Sequence, residues 1–219
     1  LNCGSSLEHS KKVNVQTRRL DPLLDTIALQ GARILVAGLG RVGMSGFKSI
    51  IKLPIGQVTC IDHDVVEAKD AASVFPTSTI GEYKVRAAQQ VVQGWNPNIA
   101  YEGCLMQLRD DTLRRFNVLI EWADVLLWTA DDWQFLRERI DQVHKALPVV
   151  AIAMSEGGSF GEVVWSVPGQ TSCVACALEP GQRTRETDAA SLPVDVDSVV
   201  QVATRCLLGL LLVGRRGHE

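Results

Sequence analysis

The feature that most constrains this chain is a glycine string set between two apolar patterns. Residues 33–37 (RILVA) form a short, almost continuous apolar run, the composition of a strand buried on both faces. Residues 38–43 (GLGRVG) follow without a gap, and residues 44–53 carry apolar side chains at helical spacing. A glycine string in the order strand, turn, helix is the context a nucleotide loop requires. Gly38 allows the tight turn, Gly40 lets phosphate approach the backbone, and Gly43 permits close packing of helix on strand. Phosphate then meets the unpaired N–H groups and the positive end of the helix dipole. A second apolar run, QVTCI at 57–61, ends in Asp62. A carboxylate closing the second strand about twenty residues after the loop can accept ribose hydroxyls. The loop alone does not say which nucleotide, because a nicotinamide dehydrogenase would use the same glycines and the same Asp62.

The rest of the chain continues the alternation. Strands are expected at 33–37, 57–61, 99–104, 125–129 and 149–153, and helices at 20–29, 44–53, 83–94, 111–116 and 132–146. In the helix at 132–146, Phe135, Leu136, Ile140 and Val143 face inward. Such an order specifies an α/β fold with a Rossmann-like, mostly parallel sheet and helices on both faces. Residues 160–167 alternate as an exposed antiparallel strand, 181–193 form a polar connection, and 196–213 a final apolar helix. Residues 1–17 are polar and unpatterned and read as a flexible arm. Residues 18–219 then make a single nucleotide-binding domain.

Composition excludes several classes. With 46% hydrophobic and 21% charged residues, the chain can bury a full core. A net charge of −3 argues against a nucleic-acid partner bound by phosphate neutralisation. No apolar run reaches the roughly 18 residues of a membrane span, so no membrane partner is expected. The N-terminus shows no signal-type apolar region, which makes the cytoplasm the expected compartment. Cys60, inside an apolar strand, reads as a small hydrophobe, and Cys173 and Cys176 form the one CxxC pair. His9, His63, His144 and His218 are scattered and form no catalytic set.

Beyond the loop, the strings ILVAGLGRVG (34–43), DHDVVE (62–67), IGEYK (80–84), Asn96 with Pro97, Thr129 to Asp131 and GQTSCVAC (169–176) occur in that order. Together they resemble the ThiF/MoeB/HesA family, the adenylating domains related to ubiquitin-activating enzymes. The resemblance spans residues 19–213. It implies an ATP- and magnesium-dependent adenylyltransferase that activates the C-terminal carboxylate of a ubiquitin-like or sulfur-carrier protein, working as a homodimer. On that basis Gly38, Gly40, Arg41, Gly43, Asp62, Asp64, Lys84 and Asp131 are the nucleotide-binding set. Lys84 approaches the phosphates and Asp131 helps hold Mg²⁺, and these two are the catalytic residues. A lysine neutralises charge developing on the α-phosphate, and a carboxylate with water suits Mg²⁺. The plainer alternatives are that Lys84 is a solvated lysine opening a helix and Asp131 an N-cap beside Asp132.

Three departures from the family stand out. The stretch 68–75 (AKDAASVF) has no arginine where the family carries one against the ATP phosphates, and Asp70 falls about where the family has an asparagine. Arg18 or Arg19 of the arm, or Arg41 within the loop, is the substitute at hand, although Arg41 could equally crowd the phosphates. Cys173 and Cys176 suit half of a Cys₄ zinc site, but the second CxxC is missing, so an unmetallated reduced pair is expected ahead of zinc. Residues 179–200 contain no cysteine nucleophile, so the adenylate would pass to an outside acceptor. A chain ending at Glu219 is expected to be a fragment or a reduced relative. The rivals are a catalytically degenerate scaffold of the same fold and an NAD(P)-dependent oxidoreductase.

Overall fold

The computed structural model describes residues 25–71, 73–154, 161–177 and 193–214. The arm at 1–17, Arg18, Arg19 and most of the connection at 181–193 lie outside the described residues. Chain order runs α1 (Thr26–Gln30), β1 (Arg33–Ala37), α2 (Arg41–Ile50), β2 (Gln57–Asp62), α3 (Ala68–Ala71), α4 (Lys84–Trp95), β3 (Ala100–Leu105) and α5 (Leu113–Trp122). It continues through β4 (Val125–Trp128), α6 (Trp133–Ala146), β5 (Val149–Met154), β6 (Gly161–Ser166), α7 (Val174–Ala177) and α8 (Pro193–Gly214).

The six strands form one sheet in the order β3-β2-β1-β4-β5-β6. The first five are parallel and β6 runs antiparallel to β5. The continuous apolar runs of β1 and β4 are explained by their central place, where both faces are covered. Successive residues of β1 feed opposite layers. Ile34 and Val36 pack with Met44 and Phe47 of α2 and Leu207 of α8, whereas Leu35 and Ala37 pack with Phe116 of α5 and Phe135 of α6. On the second face, Trp128 stacks on Phe135 at 6.4 Å and meets the edge of Phe116, which anchors the end of β4.

Helices α2, α5 and α8 differ from expectation, α8 starting at Pro193 rather than at 196. α2 begins at Arg41, inside the glycine string, because Gly40 already takes the N-cap position. α5 runs to Trp122 rather than stopping at 116, since Phe116, Leu119 and Ile120 keep one apolar stripe turned to the sheet. α1 starts at Thr26, with Asp25 accepting from the Ala28 N–H as its cap; the earlier part of the 20–29 stripe, up to residue 24, lies outside the described residues. In α6, Phe135, Leu136 and Val143 are buried. No helix among the described residues is long and apolar enough to cross a membrane.

The chain between β2 and α4 makes an excursion that sequence periodicity does not show. After Asp64 it leaves the sheet, forms α3 and a 3₁₀ turn at Thr77–Thr79, and returns. Val65 bridges Tyr83 antiparallel, the Val66 N–H donates to Glu82, and the Gly81 N–H donates to Val66. The closure ends with the Lys84 N–H donating to the Asp64 carbonyl at 2.9 Å. Lys84 thereby starts α4 directly beside the end of β2.

Candidate functional site

In an open parallel sheet the ligand crevice lies beyond the carboxyl ends of the strands, where the strand order reverses. Here that point falls between β1 and β4. A cavity of about 240 Å³ opens there, lined among others by Gly38, Gly40, Asp62, Lys84, Thr129 and Asp131. A larger hollow of about 570 Å³ lies against α4 around Tyr83, Arg86 and Gln90. It carries none of the glycine loop, so the smaller cavity is the one with convergent chemistry.

The glycines shape the cavity floor. Gly38 has φ +92°, which L side chains rarely adopt. A Cβ on Gly43 would overlap the Gly38 carbonyl oxygen, so the helix can approach the loop only without a side chain there. A Cβ on Gly40 would meet nothing within 4 Å, and that position faces open space. Thr129 locks the loop from the far side: its hydroxyl lies 3.0 and 2.9 Å from the carbonyl oxygens of Ala37 and Gly38.

Asp62 ties β2 to the loop. One carboxylate oxygen accepts from the Leu39 N–H at 2.6 Å and the other from the Asp64 N–H at 2.8 Å. A carboxylate oxygen has two acceptor sites, so both can still take a hydroxyl. Burial pushes the Asp62 carboxyl above its usual range, and the two backbone hydrogen bonds and the Lys84 charge only partly offset this.

Lys84 is buried, at 7% exposure, so it is not a solvated lysine. Its ammonium donates to Asp64 at 3.2 Å and lies 3.8 Å from Asp70. Asp70, also buried, accepts from the Glu67 N–H at 3.0 Å. Asp131 lines the facing wall, and the capping of α6 falls to Asp132, whose carboxylate accepts from the Phe135 N–H at 2.8 Å. Arg41 and Gly43 are not among the lining residues: Arg41 is half-buried on the first turn of α2, and Gly43 packs behind the loop. Lys69, the other cation of the 68–75 stretch, pairs with Glu67 at 3.3 Å on the surface.

Sequence reasoning missed the third wall, Met106, Gln107 and Leu108, which follows β3. Its signal was its place at the carboxyl end of a strand. Cation chemistry fits the cavity. Asp62, His63 and Asp64 bring ligand atoms within 4.8 Å of one another, and Asp131 adds a further hard oxygen donor from the facing wall. Cys173 and Cys176 hold their sulfurs 3.0 Å apart at the start of α7. Among the described residues no third ligand joins them, so half a tetrahedral zinc set is what they supply.

A doubly wound sheet with a glycine loop, a carboxylate at the end of β2 and a buried lysine at one crevice defines a Rossmann-like α/β protein. The chain belongs to the ThiF family, whose model matches residues 14–210. It is 26% identical over 203 residues to ubiquitin-like modifier-activating enzyme 5 of Oryza sativa subsp. japonica, covering 82% of this chain and 48% of that protein. It is 31% identical over 88 residues to the molybdopterin-synthase adenylyltransferase of Salmonella typhimurium, covering 39% of this chain and 35% of that one. Among solved structures, E. coli MccB with ATP matches with a TM-score of 0.70 and 14% identity, over 90% of this chain and 64% of that one. The match to MccB is one of fold. The chain spans about half the length of the activating enzymes it matches.

Proposed function

We propose that this chain binds ATP in the crevice between β1 and β4 and transfers its AMP group to the C-terminal carboxylate of a ubiquitin-like or sulfur-carrier protein. The observation that carries the reading is the convergence of the glycine loop, Asp62, Lys84 and Asp131 on one cavity. Family membership, and relatives named as adenylyltransferases and modifier-activating enzymes, support the reaction class. So does a fold neighbour solved with ATP.

In this reading Gly40 and the first N–H groups of α2 face the phosphates, where the helix dipole favours an anion. Asp62 holds the ribose hydroxyls, Asp131 holds Mg²⁺, and Lys84 stands against the α-phosphate. Bound Mg²⁺ would neutralise phosphate charge. A carboxylate oxygen of the carrier attacks the α-phosphorus as the bond to the bridging oxygen of the β-phosphate breaks. Pyrophosphate leaves with that electron pair, and no proton changes hands. Positioning and charge neutralisation supply the acceleration. On the same family grounds the working unit is a homodimer.

A second reading has its own observation. No arginine stands in residues 68–75, and Asp70 counters the lysine that remains. That favours a scaffold that binds nucleotide without adenylating. ATP–pyrophosphate exchange, run with candidate carrier proteins beside an NAD titration, separates the two. Exchange abolished by Asp131→Ala supports adenylation, and ATP binding without exchange supports the scaffold. Tight NAD binding without ATP affinity would sink both.

A further inference from the structure

The charge balance of the cavity is unusual for a site that receives a polyanion. Its lining includes the carboxylates of Asp62, Asp64, Asp131 and Asp132 against the single ammonium of Lys84. Lys84 is itself countered twice, by Asp64 at 3.2 Å and Asp70 at 3.8 Å. The two partners differ in kind. The Asp64 side chain is half-exposed and well screened, whereas those of Asp70 and Lys84 are only 10% and 9% exposed. A charge held at that depth is screened little by water or salt. Asp70 also has a fixed place, because its carboxylate accepts from the Glu67 N–H within the same excursion.

We infer that Asp70 is a positioning residue whose carboxylate offsets the Lys84 ammonium, so that the pair brings no net charge to the cavity, and that this makes the site selective for phosphates that arrive already complexed by a divalent cation. The inference rests on the ATP reading above. Metal-free ATP brings its full negative charge towards a wall of carboxylates with no net cation to meet it. The amide ends of α2 offset only part of this, about half a charge at a helix N-terminus. A cation-complexed polyphosphate brings its own neutralisation, and the carboxylates then become favourable neighbours. A neutral nucleoside should be indifferent to Asp70.

Asp70→Asn isolates the charge, since an amide oxygen can still accept from the Glu67 N–H. The full chain is titrated calorimetrically with adenosine, with ATP in EDTA and with ATP in excess Mg²⁺. In the wild type, Mg-ATP is expected to bind at least about ten-fold more tightly than metal-free ATP. Asp70→Asn should tighten metal-free ATP by about ten-fold, the order expected for removing one poorly screened charge, and leave adenosine within about two-fold. A ratio unchanged by Asp70→Asn, with both ligands bound, overturns the role of Asp70 alone. If the variant does not fold, the wild type decides: metal-free ATP bound as tightly as Mg-ATP overturns the inference. Failure of the wild type to bind adenosine and Mg-ATP at all overturns the ATP reading, and this inference with it.

Discussion

The Asp62 carboxylate accepts a 2.6 Å hydrogen bond from the backbone N–H of Leu39, so the end of β2 holds the glycine loop in place. The same carboxylate therefore sets the loop and faces the ligand. Burial raises its pKa above the ordinary carboxylate value near 3.8. Between those two values the folded state keeps a proton the unfolded state has lost, so stability falls as pH rises through that window. Asp62→Asn should flatten this dependence. It should also lower stability at the acid end, because one amide nitrogen now faces an N–H. Urea unfolding at a series of pH values from 3.5 to about 7 checks both, and a variant with the wild-type slope would refute the assignment.

Gly43 and Gly40 should behave oppositely. Gly43→Ala places a Cβ on the Gly38 carbonyl and should cost about 3 kcal/mol or more. Gly40→Ala meets open space and should change stability by about 1 kcal/mol or less, the loss of a glycine N-cap. Its effect should fall on nucleotide affinity instead. Thermal unfolding and ATP titration of the two variants, side by side, give the comparison.

Removing Lys84 leaves Asp70 buried without its cation. Lys84→Met should therefore destabilise by about 3 kcal/mol, in the range for a broken buried ion pair, and abolish pyrophosphate exchange. Adding Asp70→Asn should restore most of the stability and none of the exchange. Recovery of both in the double variant would show that the lysine acts only as a structural partner.

Cysteine reactivity should follow burial. Cys60 and Cys104 are buried and their thiols are pushed up by desolvation, so they should resist alkylation until the chain unfolds. Among the cysteines of the described residues, Cys176 is exposed and should label first in the native state, ahead of the half-buried Cys173 and Cys206. Peptide mapping by mass spectrometry reads the order. Equal labelling with and without a zinc chelator is expected from a pair of two cysteines with no third ligand among the described residues. Protection lost on chelation would instead show bound zinc.

Much of this protein was legible from local pattern. Buried runs such as 33–37 and 125–129 belong to central strands because burial on both faces removes the usual alternation. The glycine string could be placed because its strand and helix neighbours are contiguous with it, and Gly38 and Gly43 occupy positions that no side chain could share. Asp62 was legible for the same reason, as the first polar residue after an apolar run. The short excursion helix, the extra turns of α5 and the wall at Met106–Leu108 were not, since packing against the sheet rather than periodicity decides them.

The sequence by itself determined the alternation of strands and helices, the glycine loop and the order of residues that marks the family, because each depends on spacing along the chain. Only the tertiary structure decided what Lys84 is. The return of the chain from Val65 to Tyr83 buries it between Asp64 and Asp70, two carboxylates 20 and 14 residues back in the sequence. The strength of a charge depends on the distance to its counter-charges and on the water between them. Neither quantity exists until the excursion has closed.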